Sequence, residues 1–203
     1  MLVRVSLLVA VVALSLGIGR ATAGDASLPT VVVFDSICLQ CHEGECSGRL
    51  ALRTDNNLAA VADHVRGYAG PQSGSIVAEL KALLGRVKTD CALPPPPVAS
   101  PDDGQWTPAL LSPLMVTDRQ RMFVPLGIPG VGAQQLVIRA TPSQRIRIQV
   151  IAQTFDIIVD EDLEIGPDPA TRRWAADDAG PHFLRIIAKA PLGDLFIRNQ
   201  PVR

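Results

Sequence analysis

The chain has 203 residues, of which 47% are hydrophobic, and this length is enough for one large domain or two small ones. Its 19 basic residues are balanced by 20 acidic ones. A surface that binds nucleic acid normally shows as an excess of basic residues, so this composition argues against a nucleic-acid partner.

The first 23 residues have the features of a secretory signal. Arg4 supplies a positive start, residues 7–16 form an apolar run with one Ser, and residues 21–23 read Ala-Thr-Ala, a small-residue cleavage site. We therefore expect an exported protein, periplasmic or extracellular, whose mature chain begins near Gly24. The alternative is a retained membrane anchor, although the run is short for a span of about 20 residues.

Residues 24–92 are predicted to form a small helical module. One short apolar segment, Thr30–Phe34, comes first, and Asp35 or Ser36 is placed to cap the helix that follows. Apolar residues at helical spacing predict two further helices. The first has Leu58, Val61, Ala62 and Val65 on one face, and the second has Ile76, Leu80, Leu83, Leu84 and Val87 behind Ser75 as a cap.

Residues 38–42 read Cys-Leu-Gln-Cys-His, and Cys-x-x-Cys-His is the attachment sequence of c-type haem. In this interpretation Cys38 and Cys41 bind the haem covalently, and His42 is the proximal ligand of its iron. Two alternatives remain open, a redox-active disulfide and a zinc site completed by the other two cysteines. The trailing histidine, the predicted export and the lack of a βαβ pattern favour haem.

The sixth iron ligand is less determined by the sequence. Residues 24–92 contain no Met, so His64 on the second predicted helix is the leading candidate for the distal position. Met115, Met122 and His182 follow, and an open or water-ligated iron is a further possibility.

The remaining cysteines, Cys46 and Cys91, are predicted to form a structural disulfide, because free thiols tend to pair in an oxidising compartment. Such a bridge would close a loop of about 45 residues and stabilise the module by roughly 3 to 4 kcal/mol. An unpaired reactive cysteine is the alternative.

Residues 93–104 contain four consecutive prolines and are predicted to be a semi-rigid linker. After it the pattern changes to alternation, which predicts strands in residues 105–203. A hairpin is predicted between residues 182–188 and 195–198 across Pro191–Asp194. Five or more short strands in about 100 residues predict a β-sandwich-like domain. With no Cys and a single His, this domain is not expected to hold blue copper.

Two clusters in this domain are candidate sites. Acidic residues between 160 and 168 are interpreted as a solvated turn, with calcium binding as the alternative. Residues 172–174, Arg-Arg-Trp, are interpreted as a loop or a contact surface. Because no nucleophile, base and orienting group can be assembled, we expect a docking or assembly domain rather than an enzyme. The apolar segment Leu28–Phe34 is a candidate for strand addition, within the chain or to a neighbouring copy.

The run Cys38-Leu39-Gln40-Cys41-His42-Glu43-Gly44 resembles the haem-binding segments of bacterial c-type cytochromes, in particular the small bis-histidine modules of multihaem proteins. The resemblance covers these seven residues and His64, and none of residues 105–203. It departs from the multihaem pattern because only one Cys-x-x-Cys-His is present, and from the usual single-haem pattern because no Met closes the module. The resemblance implies one haem c and electron transfer to a redox partner protein.

The expected fold class is therefore α+β multidomain, with a small all-α cytochrome c-like module followed by an all-β domain. The expected function is that of an exported monohaem cytochrome, possessing covalent haem, bound iron and a disulfide. Two alternatives stand beside it: a haem protein with an open iron that senses or transforms a small ligand, and a haem-free exported binding protein stapled by disulfides.

Overall fold

A computed structural model describes residues 26–42, 58–116, 118 and 120–202. Its strands form two four-stranded antiparallel sheets, which are the largest part of its regular secondary structure. The predicted signal segment and Cys46 lie outside the described residues. No helix in the described part of the chain has the length and apolar character needed to cross a membrane.

The helices come mainly before the strands. They are α1 Leu28–Val33, a π-helical turn Phe34–Cys38, α2 Leu39–His42, α3 Leu58–Ala69, α4 Gly74–Asp90 and α5 Pro108–Leu111, followed by a 3-10 turn Ser112–Leu114. The strands are β1 Gln105–Trp106, β2 Arg121–Gly127, β3 Gly132–Thr141, β4 Gln144–Ala152, β5 Ile157–Ile165, β6 Ala170–Ala176, β7 His182–Ala188 and β8 Asp194–Pro201.

The strands form a β-sandwich. One sheet has the order β1-β8-β3-β6 and the other has the order β2-β7-β4-β5. Alternate side chains of both sheets meet in one apolar core, which includes Leu136 and Ile138 from the first sheet and Ile148 and Leu184 from the second. The expectation of a β-sandwich in residues 105–203 is confirmed.

The helices cover the outer face of the second sheet. Phe123, Ile151 and Phe183 point away from the sandwich core and share a second apolar cluster with Phe34 and Leu83 of the helical region. The rings of Phe123 and Phe183 stack with centroids 5.1 Å apart. The second sheet is thus buried on both faces, and the molecule has three layers.

The predicted fold class is wrong in two respects. The main architecture is a pair of four-stranded antiparallel sheets with the helices packed on one of them, rather than an all-α module followed by an all-β domain. The helices do not form a cytochrome c-like all-α module with its own core, because their apolar side chains are buried against the second sheet. The division into residues 24–92 and 105–203 stays a prediction.

Several element predictions are also corrected. Leu28–Val33 is helical, with Pro29 in its first turn, so the strand-addition hypothesis for this segment is wrong. The predicted hairpin is wrong because β7 and β8 belong to opposite sheets. The proline-rich segment packs on the sandwich: the Leu93 N–H donates to the Gln153 carbonyl at 2.8 Å, and Ser100 Oγ donates to the Pro125 carbonyl at 2.6 Å.

Candidate functional site

A cavity of about 370 Å³ lies between the π-helical turn, α2, α3 and α4. This volume is within the range of small-molecule and cofactor sites. Its walls are mostly apolar, and they are formed by Phe34, Ile37, Cys38, Cys41, His42, Ala60, Val61, His64, Val65, Tyr68, Ala69, Leu80, Lys81 and Leu84. Four residues predicted for the haem site, Cys38, Cys41, His42 and His64, therefore line one cavity.

Local sequence explains how these side chains converge. Cys38 ends the π-helical turn, and α2 continues directly to His42, so both cysteines and the histidine lie on consecutive turns. His64 lies in the middle of α3, whose Val65 is buried against the second cluster while its opposite face is exposed. The α4 helix closes the cavity with Leu80 and Leu84, and its Ser73 side chain accepts a hydrogen bond from the Ile76 N–H at 3.4 Å.

The two histidines that line the cavity have their rings close together. The ring centroids of His42 and His64 lie 6.2 Å apart, with an angle of 74° between the planes. Tyr68, one turn after His64, has its ring centroid 4.9 Å from that of His64. His42 is half-buried, whereas His64 and Tyr68 are exposed.

The distance between the two ring centroids can be compared with the distance expected for two histidines bound to the same metal ion. A ligating imidazole nitrogen lies about 2 Å from its metal, and the centre of a five-membered ring with bonds of about 1.33 Å lies about 1.1 Å from each ring atom. Two imidazoles on opposite sides of one metal ion therefore have centres about 6 Å apart. The distance between His42 and His64 matches that expected for two histidines that would hold one metal ion, and the apolar walls would suit a flat apolar cofactor.

The two cysteines have different surroundings. Cys38 is half-buried and Cys41 is exposed, and neither forms a disulfide. Burial raises the pKa of the Cys38 thiol to about 12, and the charge of Asp35 adds to the rise. A thiol of this kind is protonated at neutral pH and is a poor nucleophile, so the geometry disfavours the redox-disulfide alternative.

A protein-built metal centre is not present among the described residues. No group of three or more His, Cys, Asp or Glu side chains is placed to hold a metal ion there. The expectation of a metal-binding protein is therefore wrong for a centre built from these side chains alone, and the zinc and calcium alternatives lose support. An iron held by a porphyrin differs, because the protein then supplies only axial ligands.

No disulfide joins two cysteines that are both within the described residues. Cys91 is disulfide-bonded, and it ends α4 in a left-handed conformation with φ of 51°. Its pairing with Cys46 falls outside the described residues and stays a prediction.

The other candidate ligands lie elsewhere. Met122 is buried in the sandwich core, and Met115 forms an isolated bridge with it. His182 is fully buried, with Nδ1 2.8 Å from the Gly180 carbonyl and its ring centroid 5.2 Å from that of Trp174. None of the three lines the cavity.

The two clusters of the β-sandwich have structural roles. The predicted acidic turn is wrong, because Asp160, Glu161 and Asp162 lie within β5 and pair with arginines. Arg147 Nε donates to Asp160 Oδ1 at 2.6 Å, and Arg172 pairs with Glu161 across the two sheets. Trp174 is buried, and its Nε1 donates to Asn199 Oδ1 at 3.2 Å, so it is not a contact surface.

A buried polar cluster behind the cavity was missed by the sequence analysis. Asp35 and Ser36 are not helix caps but fully buried members of the π-helical turn. Arg185 of β7 is also buried; its Nε donates to the Asp35 carbonyl at 2.9 Å, and its guanidinium donates to Gln149 Oε1 at 3.0 Å. The signal in the sequence is that β7 is apolar at almost every position, which indicates a strand buried on both faces.

Comparisons with known proteins add similarity of fold only. No family model matches the chain, and no curated protein sequence matches it either. Solved structures that resemble it include TmCBM61 in complex with beta-1,4-galactotriose, with 11% identity, a TM-score of 0.29, and coverage of 40% of this chain and 62% of that one. The chain therefore spans less than two thirds of that module.

Two further structures show the same pattern. BiXyn10A CBM1 has 8% identity and a TM-score of 0.31, with coverage of 43% of this chain and 68% of that one. A family GH115 4-O-methyl-alpha-glucuronidase has 14% identity and a TM-score of 0.34, with coverage of 71% of this chain and 24% of that one. At these TM-scores, the similarity carries no inference about what this chain binds.

Proposed function

We propose that this chain is an exported electron-transfer protein with one haem c, attached to Cys38 and Cys41 and ligated by His42 and His64. The observation that supports this most strongly is the convergence of all four side chains on one apolar cavity. The 6.2 Å separation of the two imidazole rings fits one metal ion between them.

The haem, when bound, supplies a one-electron couple between iron(III) and iron(II). The chain itself holds and orients the cofactor. Cys38 and Cys41 would attach it to the π-helical turn and α2, His42 and His64 would hold its iron, and Phe34, Leu80 and Leu84 would exclude water. A pair of imidazole ligands sets a lower reduction potential than His and Met together, because a Met ligand raises the potential.

The β-sandwich supports this site. Arg185 donates a hydrogen bond to the turn that precedes Cys38, and Phe123 and Phe183 pack beneath the helices. Docking of a redox partner protein, or of a second copy, is a further function of this domain within the proposal. Export is part of the same proposal, because covalent haem attachment takes place outside the cytoplasm and residues 1–23 have a signal pattern.

An open-iron protein that binds a small ligand is the second candidate. The observation that favours it is the exposure of His64, since an exposed axial ligand is readily displaced. Tyr68 packs against His64 and opposes that displacement. We therefore place the electron carrier first.

The covalent haem is tested with the full chain, secreted from a bacterium that has a cytochrome c maturation system. A pyridine haemochrome assay on the purified protein is expected to give one haem per chain. The double variant Cys38→Ala/Cys41→Ala is expected to retain no haem after acid–acetone extraction, because no thiol remains to form a thioether in the motif. A wild-type protein without covalent haem, or a double variant that keeps it, would contradict the proposal.

A further inference from the structure

Asp35 is a buried carboxyl group that does not line the cavity. Its side chain is 0% exposed, and neither carboxylate oxygen accepts a hydrogen bond from any described residue. The neighbouring Ser36 hydroxyl is also buried, and it too has no hydrogen-bond partner among the described residues. Such groups are rare in folded proteins and call for a functional explanation.

The positive charge beside Asp35 is directed at its backbone. Arg185 Nε donates to the Asp35 carbonyl at 2.9 Å, and NH1 donates to Gln149 Oε1 at 3.0 Å. Burial raises the pKa of the Asp35 carboxyl well above its usual range, and the Arg185 charge opposes this rise only in part. The carboxyl therefore holds a proton more strongly than an exposed one does.

Asp35 is also close to the redox centre that we propose. It lies three residues before Cys38 in the same π-helical turn, and its charge raises the pKa of the Cys38 thiol, so the two groups interact electrostatically. Its neighbours Phe34, Ile37 and Cys38 all line the cavity. A change of charge in the cavity is therefore felt at Asp35 through a medium of low dielectric constant.

The other charged or titratable groups near this turn are few. Its packing partners are α1, α2, α3 and β2, together with Arg185 of β7. The α1 helix has no titratable residue, and β2 has only Arg121. The remaining titratable groups on these helices are Cys41, His42, Asp63, His64, Arg66 and Tyr68.

We infer that Asp35 binds a proton when the haem is reduced, so that this protein takes up a proton together with an electron. The inference rests on the proposed function. One electron comes from a one-electron donor protein and converts iron(III) to iron(II). One proton comes from a hydronium ion of the solvent, which becomes water, and forms an O–H bond on the Asp35 carboxylate. Reduction removes one positive charge from the cavity, and the carboxylate is then less stable in its ionised form.

The sign of the pH dependence follows from this linkage. A reduced state that binds more protons than the oxidised state is favoured at low pH. The midpoint potential must therefore fall as the pH rises between the two pKa values of Asp35. The limiting slope for one proton per electron is a tenfold change per pH unit, or about 59 mV.

The test is a spectroelectrochemical titration of the full, haem-loaded chain from about pH 5 to about pH 9, a range that spans the usual titration of buried carboxyls. We expect the wild-type potential to fall with rising pH and the Asp35→Asn variant to show a flat potential over the same range. Asp63→Asn is the matched control, since Asp63 is an exposed carboxyl on α3 that pairs with Arg66 at 3.0 Å. This control should keep the wild-type slope.

Two results would overturn the inference: a flat wild-type potential, or an undiminished slope in Asp35→Asn. If Asp35→Asn does not fold, the reduced-minus-oxidised infrared spectrum of the wild type decides. Reduction must then produce the C=O band of a protonated carboxyl, and its absence overturns the inference. A haem-loaded protein with a flat potential refutes this inference alone, whereas a protein without covalent haem refutes the proposed function with it.

Discussion

Cys38 and Cys41 differ in their surroundings although they are only three residues apart. Cys38 is half-buried beneath the helices and its pKa is raised to about 12, while Cys41 is exposed. Thiol alkylation proceeds through the thiolate, so a raised pKa and burial both slow it. The difference can be measured in the haem-free protein.

We predict that iodoacetamide at about pH 8 modifies Cys41 at least about tenfold faster than Cys38 in folded, haem-free protein, since the thiolate is the reacting form. Peptide mass spectrometry at successive times measures both rates. The same reaction in denaturant is the control and should remove most of the difference. Equal rates in the folded protein would show that Cys38 is accessible and ionised, contrary to the structure.

At this scale the sequence indicated which residues lie together better than it indicated what surrounds them. Residue types and spacing were enough to select Cys38, Cys41, His42 and His64, and all four line one cavity. Asp35 was interpreted as a helix cap because polar residues favour helix starts. Its burial depends on Arg185, which is 150 residues away in the chain, and no local pattern contains that information.

Among the elements, the π-helical turn Phe34–Cys38 links the sandwich to the Cys-x-x-Cys-His motif. A π-helical turn is wider than an α-helical one, and such turns are frequent at functional sites. Here the Asp35 carbonyl accepts its hydrogen bond from Arg185 on β7. The strand thus holds the turn from which Cys38 projects.

We predict that Arg185→Met lowers the free energy of unfolding by about 2 to 4 kcal/mol, because the Asp35 carbonyl and the Gln149 side chain lose a buried donor. Arg198→Met on β8 is the matched control, since Arg198 is exposed, and it should change stability by less than about 0.5 kcal/mol. Urea denaturation followed by circular dichroism measures both. Similar effects for the two variants would contradict the role assigned to Arg185.

Elements with strong local signals were predicted well. The apolar spacing in α3 and α4 gave two helices close to their observed positions. The predicted pairing of β7 with β8 is wrong, because the turn Pro191–Asp194 shows that the chain reverses but not which sheet it enters. Residues 28–33 are β-branched at several positions, yet tertiary packing and Pro29 in the first turn make them helical.

At the level of the whole molecule, three layers share two apolar cores. The second sheet faces the first sheet on one side and the helices on the other. A helical region of this size buries too little surface to be stable alone, and here the sheet supplies the missing contacts. This packing could not be predicted from the sequence, because alternation along a strand indicates one buried face and gives no partner for the second.

The edges of the sandwich are also protected. Edge strand β5 carries four acidic residues between positions 160 and 164, and the carboxylates of Asp162 and Asp160 pair with Arg145 and Arg147 on β4. Charged edges of this kind oppose edge-to-edge association. The surface available for a redox partner is therefore expected at the mouth of the cavity, where Cys41, His64 and Tyr68 are exposed.

The central claim is that His42 and His64 hold one haem iron between them, and the visible spectrum of the reduced protein with and without carbon monoxide tests it most directly. We predict no rapid shift of the Soret band in the wild type and in Asp63→Asn, and a rapid shift in His64→Ala, where the distal position is open. A rapid shift in the wild type equal to that in His64→Ala would contradict the claim.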